Sequence, residues 1–471
     1  MAKKETVRVR LSDQRRGRDL RARYDAAQTT SENVRHWSLA DALSADAANS
    51  PEVRERIRNR ARYEIANNTY AKGAVLTLAG DVIGTGPRLQ LYNPPSEKKA
   101  RRLIQDFQMW AEETSLAEKL LTAAYAKIGD GESFLVMTSN PGLSSPVKLD
   151  VLNLEADRVC SRYGMMPSDD DVDGVLLDPF GSPRAYTYLT AHPGGLNTTA
   201  PTMTWKEIPA RYVCHWFRKD RPEQHRGVSE ISSALPLFAQ LRRYTLATLA
   251  AAETAADFAA ILYTDNPASG VAQDLDPLDE IDITKRMMTT LPGGWKMGQF
   301  QPEHPTTTYA EFKREILGEI ARCLQMPVNI ITGDSSQHNY ASGRLDHQAY
   351  YKAVRMTQRA CARNVVERIF REWWGEYTVY ARWPKEPPAH FWFWDGTEHV
   401  DPLKEANAQA VKLASGTTTL AFEYAKLGYN WETALEQRAK EIEKMRELGI
   451  LGEGNVPAPA PETEGEEDEP N

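Results

Sequence analysis

Apolar positions recur every three or four residues along several long stretches of this chain, and alternate in short runs between them. From Pro51, the stretch PEVRERIRNRARYEIANNTYAKGAVLTLAG places Ile57, Ala61 and Ile65 at the spacing of one helix face. Ser50 stands where it can cap that helix, and Pro51 suits its first turn. The pattern predicts helix as far as Gly84 and Gly86, then a short strand. Arg54, Arg58 and Arg62 share another face, which predicts a solvated surface or ion pairs between subunits rather than phosphate contacts. A second helix is expected from about Glu97 to Tyr125. Strand-like runs follow: ESFLVMT, VKLDVLNL, GVLLDPFGSPRAYTYL and IPARYVCHWF, with a hairpin across Asp178–Pro183. The first half therefore reads as α+β, ending near Arg226.

The period then changes. EISSALPLFAQLRRYTLATLAAAETAADFAAILYT predicts a helix of some thirty residues, about 45 Å long at 1.5 Å per residue. Its second half is dense in alanine (Ala250–Ala252, Ala255, Ala256, Ala259, Ala260), which favours helix and lets backbones approach closely. A single core helix is one reading; a bundle or ring of identical helices is the other. Residues 264–306 are irregular. TYAEFKREILGEIARCLQM returns to helix, with Phe312, Ile316 and Ile320 on one stripe. A polar run, GDSSQHNY, separates it from a further helix of about thirty residues. YTVYARW and FWFWDG look like strands, and small helices close the chain, with Asn430 as a cap and Gly428 and Gly449 as stops.

Composition narrows the class. With 471 residues, 41% hydrophobic and 26% charged, the chain has enough material for more than one core. No apolar run reaches the roughly 18–20 residues that span a bilayer, and the basic N-terminus lacks the apolar centre of a secretory signal. Cys160, Cys214, Cys323 and Cys361 are scattered, which predicts reduced structural thiols in a cytoplasmic setting. The net charge of −8 hides two biased ends: a basic first two dozen residues and an acidic last nineteen, each with the composition of a solvated, disordered tail. Overall acidity argues against a tight grip on duplex DNA, because that affinity rests on neutralising phosphates. It does not exclude a protein that lets DNA pass.

Catalytic motifs are scarce. GxxxxGK[ST], HExxH, GxSxG and calcium-loop patterns are all missing. Gly333-Asp334-Ser335 matches a hydrolase signature, but a nucleophilic serine needs a histidine oriented by a third group. Asp346-His347 and Asp395…His399 lack the required spacing. The acids of Leu275–Ile283 and of residues 169–171 could hold Mg²⁺, yet a solvated or partner-facing acidic surface is the commoner outcome. Tryptophans 373, 374, 383, 392 and 394 predict core or subunit packing, since no basic groove is interleaved with them.

The order of parts resembles the lambda family of phage portal proteins. RNRARYEIANNTYAKGAVLTLAGDVIGTGPRLQL is similar to an early block of that family, and HWFRKDRPEQHRGVSEISSAL to its approach to the stem helix. CLQMPVNIITGDSSQHNYASGR resembles the segment before its last long helix, where the family commonly reads Asn-Tyr-Ser-Ser-x-Arg. Asn339, Tyr340, Ser342 and Arg344 match, and Ala341 replaces a serine. TTTLAFEYAKLGYNWETALEQRAKEIEKMRELG resembles its C-terminal block.

The resemblance implies a mainly helical α+β portal fold assembled as a ring, usually of twelve chains. Its parts would be a basic flexible arm (1–49), a wing (50–227), a stem helix (228–262), a clip (263–308) and a second stem helix (309–325). A tunnel loop (326–341), a long helix with the rear of the wing (342–400), a helical crown (401–452) and an acidic tail (453–471) would follow. Such a ring sits at one capsid vertex of the virion, after assembly in the host cytoplasm. Double-stranded DNA is packaged through it by the terminase and later ejected, and the ring anchors the head–tail connector. Asp334, Ser335, Ser336, Gln337, His338, Asn339, Tyr340 and Arg344 would face the DNA. Asp276, Asp279, Glu280 and Asp282 are docking candidates for the terminase large subunit or the connector. Major capsid and scaffolding proteins complete the implied partners; no membrane, cofactor, metal or catalytic residue is implied. The rivals are a Ser335-centred hydrolase and a different ring-forming head–tail adaptor.

Overall fold

The computed structural model describes residues 31, 34–92, 96–162, 170–196, 204–257, 261–264, 295–298, 306–336, 340–396, 402–426 and 431–449. After a single turn, α1 (Ala45–Ala48), the predicted first helix forms as two. These are α2 (Pro51–Asn67) and α3 (Thr69–Ile83). Ser50 Oγ accepts from the Val53 amide at 3.4 Å, as the cap should. The break falls at Asn68, which is extended and whose Oδ1 accepts from the amides of Tyr70 and Ala71 at 3.1 and 3.4 Å. Asparagine offers the backbone a partner outside the helix, and here that competition ends one helix and starts the next. The stop at Gly84, with φ of +55°, leads into strand β1 (Arg88–Leu91). The helix expected over Glu97–Tyr125 is likewise two, α4 (Glu97–Glu113) and α5 (Leu116–Gly129), because Ser115 turns left-handed at φ of 50°.

Seven strands follow. They are β2 (Glu132–Ser139), β3 (Leu149–Leu154), β4 (Asp171–Val172), β5 (Val175–Leu177), β6 (Pro183–Leu189), β7 (Trp205–Pro209) and β8 (Val213–Phe217). They form two antiparallel sheets, in the orders β3-β2-β8 and β4-β5-β6-β7. The β5–β6 hairpin spans the predicted turn, where Asp178 Oδ1 accepts from the Phe180 and Ser182 amides at 2.8 and 2.9 Å. Phe134, Val175, Tyr186 and Val213 fill a small core that joins the two sheets.

The alanine-dense helix is α6 (Leu235–Asp257), 23 residues and about 35 Å, shorter than its pattern predicts. Pro236 sits in its first turn, after a tight Ser232–Ala234 turn. Strands β9 (Ile261–Thr264) and β10 (Trp295–Gly298) pair with each other, and α7 (Thr306–Cys323) returns alongside α6. Ser233 lies beside Cys323 and Tyr244 stacks on Tyr309 at 5.5 Å, so the two helices are antiparallel. Leu235, Phe238 and Leu241 of α6 are buried, whereas Leu246, Leu249 and Ala250–Ala252 are exposed. The helix thus leaves the core after two turns. The α7 stripe changes in step: Ile320 is buried, Ile316 partly so, and Phe312 exposed.

A short helix, α8 (Val328–Thr332), precedes α9 (Tyr340–Cys361). A π-helical turn over Ala362–Val366 carries α9 straight into α10 (Glu367–Ala381). YTVYA therefore ends a helix and is no strand. Trp373 and Tyr377, one turn apart, stack at 4.4 Å in the core, and their burial overrides the β preference of the local residues. Strand β11 (His390–Phe393) pairs with β1. The tryptophan-rich region is core as expected: Phe107, Trp110, Phe370, Trp373 and Trp392 meet with ring centroids 5.1–6.2 Å apart. Helices α11 (Pro402–Ala414), α12 (Leu420–Lys426) and α13 (Trp431–Glu447) close the described chain, α13 meeting α4 where Arg101 pairs with Glu432 and Glu436.

Candidate functional site

The polar run that interrupts the helices is held by buried residues at both ends. Below it, Met326, Asn329 and Ile331 are buried, so residues 328–332 form an anchored helix rather than loop. Gly333 ends α8 in the left-handed region at φ of 68°, a conformation that suits glycine. Asp334 then folds back: its amide donates to Thr332 Oγ1 at 3.2 Å, and its Oδ1 accepts from the Ser336 amide at 2.9 Å. Asp334, Ser335 and Ser336 are exposed. Gln337, His338 and Asn339 lie outside the described residues. Tyr340 opens α9, and Arg344 is exposed in the helix beyond it. Above the loop, Tyr350 is buried and donates to Asp81 Oδ2 at 2.6 Å; burial and that carboxylate push its phenol up. Asn329 Nδ2 and His347 Nε2 are 3.0 Å apart, which ties α8 to α9 across the base of the loop. The four clip candidates, Asp276, Asp279, Glu280 and Asp282, lie outside the described residues.

The joint between the sheets and α6 is the most heavily engineered electrostatic feature of the fold. Arg226 and Glu132 are both buried and face each other, Nη2 to Oε1 at 2.7 Å. Glu132 Oε2 also receives the Gly227 amide at 2.9 Å and lies 3.0 Å from His215 Nε2. Burial alone would raise the Glu132 carboxyl, but Arg226 and His215 outweigh it and hold it well below the usual carboxylate range. Burial pushes His215 down. Asp173 bridges Arg226 and Arg54, and burial followed by repulsion from Arg226 lowers Arg54 to about 10. Backbones cross here as well: Gly131, at φ of +95°, passes so close to Val228 and Ser229 that a Cβ would collide with main chain. Sequence reading missed Glu132 and Arg226; the only signal was a glutamate opening an otherwise apolar strand.

The arginine stripe corrects an expectation. Arg54 and Arg58 are buried, Arg62 is partly so, and among the described residues the stripe forms its ion pairs within the chain. Arg58 meets Asp157 at 3.1 Å, and Arg62 meets Asp130 and Asp157 at 2.6 and 2.7 Å. The acids come from turns some 70 to 120 residues away, which no local pattern reveals.

Glu155, Asp157 and His192 cluster within metal-ligand distance. His192 Nδ1 accepts from the Gly194 amide at 2.9 Å, which puts the ring proton on Nε2, the atom facing Glu155 at 2.7 Å. That tautomer leaves Nε2 no lone pair for a cation, and Asp157 is already taken by two arginines. The cluster is an ion-paired corner of the surface. Of the acids at 169–171, Asp171 caps a turn by accepting from Ser161 and Gly174 at 2.9 and 2.8 Å. The four cysteines are free; burial raises Cys214 to about 11 and pushes Cys361 up as well.

The family described as "Phage portal protein, lambda family" matches residues 30–358. A curated relative, the "Probable portal protein" of Halomonas phage phiHAP-1, is 23% identical over 461 residues, covering 88% of this chain and 87% of that one. Among solved structures, a chain in the neck of the empty GTA particle is 17% identical with a TM-score of 0.48, over 78% of this chain and 92% of that chain. An HK97 family phage portal protein from Corynebacterium diphtheriae is 14% identical with a TM-score of 0.31, over 61% and 85%.

Proposed function

The chain belongs to the lambda family of phage portal proteins, and from that membership we propose that its copies close into a ring, of about twelve, at one vertex of a capsid. Double-stranded DNA passes through the ring during packaging and ejection. The observation that carries this reading is the antiparallel α6–α7 pair, which departs from the core with Leu246, Leu249, Phe312 and Ala250–Ala252 uncovered. Small side chains at that position allow copies to pack side by side, and a ring is the assembly that covers such a face in every copy. In this reading α6 and α7 form the stem, residues 263–308 the clip that meets terminase and connector, and residues 401–452 the crown.

Residues 333–340 are the channel loop. Asp334, Ser335 and Ser336 offer neutral or acidic polar groups on a short tether, which suits weak, sequence-blind contact with phosphates and does not suit base reading. Arg344, near the start of α9, is the positive charge nearest the loop in sequence. The role is structural. Against a hydrolase, His347 is held by Asn329 at the base of the loop, and Ser335 is exposed on the tip side.

Negative-stain imaging of the purified full chain tests the ring: annular particles with a central hole are expected, and compact single copies would sink the proposal. Shortening residues 334–339 tests the loop. Particles carrying the shortened chain should assemble portal-bearing heads with altered DNA filling, whereas wild-type filling would remove the loop from DNA handling.

A further inference from the structure

Two exposed helix faces of this chain carry a predominance of opposite charge, the acidic one with Arg322 at its end. On α9 and the π-turn, Leu345, Lys352, Arg355, Met356, Arg359 and Arg363 fall on one side and are all exposed, Leu345 at 68% and Met356 at 66%. The other side of the same helix, with Tyr350, Val354 and Cys361, is buried. The basic residues, Lys352 to Arg363, run about 17 Å along the helix. Among the described residues, Lys352, Arg355, Arg359 and Arg363 make no ion pair; Arg363 reaches only Asn364. On α7, Glu311, Glu315 and Glu319 repeat every four residues beside Phe312, and all are exposed. Like charges at that spacing repel one another, and these acids too have no ion-pair partner among the described residues.

We infer that the basic α9 face of one copy packs against the acidic α7 face of the adjacent copy, with Leu345, Met356 and Phe312 supplying the apolar contact. The occupant is a second copy because this chain itself carries the complement: matched helical repeat, opposite sign and apolar side chains on both faces. Phosphate is a poorer fit, since Leu345 and Met356 are two-thirds exposed within the basic stripe and a nucleic acid backbone would leave them uncovered. Two different faces on one chain make a heterologous contact, the kind that closes a ring. The inference rests on the ring reading and names the contact that builds it.

The test uses the full chain and a charge swap, read by native mass spectrometry and negative stain, with circular-dichroism melting as the check on folding. Reversing one face (Arg355→Glu with Arg359→Glu, or Glu315→Arg with Glu319→Arg) should raise the concentration for half-assembly by about tenfold or more, without changing the melt of the isolated chain. Combining both reversals should restore rings. Rings that persist in each single-face variant would overturn this contact while leaving the ring itself standing. Failure of the combined variant to recover would overturn the pairing of these two faces. Intact rings with changed DNA retention would reassign the α9 stripe to nucleic acid. A wild-type chain that never forms rings would instead refute the reading on which the inference depends.

Discussion

At the scale of single residues, the chain concentrates its buried charge where the sheets meet α6. Glu132 and Arg226 are taken out of water together, and removing one leaves the other uncompensated. Glu132→Gln is therefore expected to cost on the order of 3 kcal/mol in urea unfolding; a loss under a quarter of that would mean Asp173 alone satisfies Arg226. A second pair, Glu367 and His390, sets a pH window. Burial opposes charge on both, yet their 2.9 Å contact lowers Glu367 to about 2 and raises His390 above 6.5. The glutamate's contribution is complete above 4.5 and fades as pH falls toward 2, and the histidine's is complete below 6.5 and fades as pH climbs through its raised value. The pair is thus strongest from about 4.5 to 6.5. Melting of wild type against His390→Gln should show the largest gap near pH 5.5 and a smaller one at 8.5. Comparison with the variant matters, because buried His215, pushed down, titrates in the opposite sense. Thiol labelling gives a third check at this scale: Cys214 and Cys361, buried with raised pKa, should react only on unfolding.

At the scale of elements, most errors of the sequence reading concern where helices stop. Helix periodicity runs through Asn68 and through Thr114–Ser115 without interruption, but a capping side chain and a left-handed residue divide both helices. Asn68→Ala removes the cap of α3 and should lower stability by about 1 kcal/mol, measured by denaturant midpoint. The reverse error occurred at YTVYA, where aromatic and β-branched residues suggest a strand and the helix of the aromatic core prevails. The crossing of β2 with the chain entering α6 is equally local in its demands. Gly131→Ala would force a Cβ into the main chain of Val228 at a backbone angle that favours glycine, so this change should abolish soluble expression or cost several times more than Asn68→Ala.

At the scale of the whole molecule, the order of α+β body, long helix, return helix, polar loop and continuous final helix is what the pattern of apolar positions predicts. That order, and the family it resembles, were legible because helical and strand periods report which face is covered. The loop was legible as a break in the apolar pattern. Its anchors, Asn329 on His347 and Tyr350 on Asp81, were not, since each joins residues from different elements. If the ring forms through charged helix faces, raising salt from 0.1 to 1 M should weaken assembly of the full chain, followed by light scattering, because screening acts most on exposed pairs.

The sequence by itself determined most element types, the polar break before α9, the packing role of the tryptophans and the family. These depend on local spacing and on the order of segments, which the linear chain carries in full. Tertiary structure alone decided that Arg54, Arg58 and Arg62 pair with Asp130, Asp157 and Asp173, the first two of them buried. It also decided that Glu132 clamps Arg226, and that α6 leaves the core after Leu241. Charge pairing and exposure depend on distances between residues far apart in the chain, and a one-dimensional pattern holds no measure of those distances.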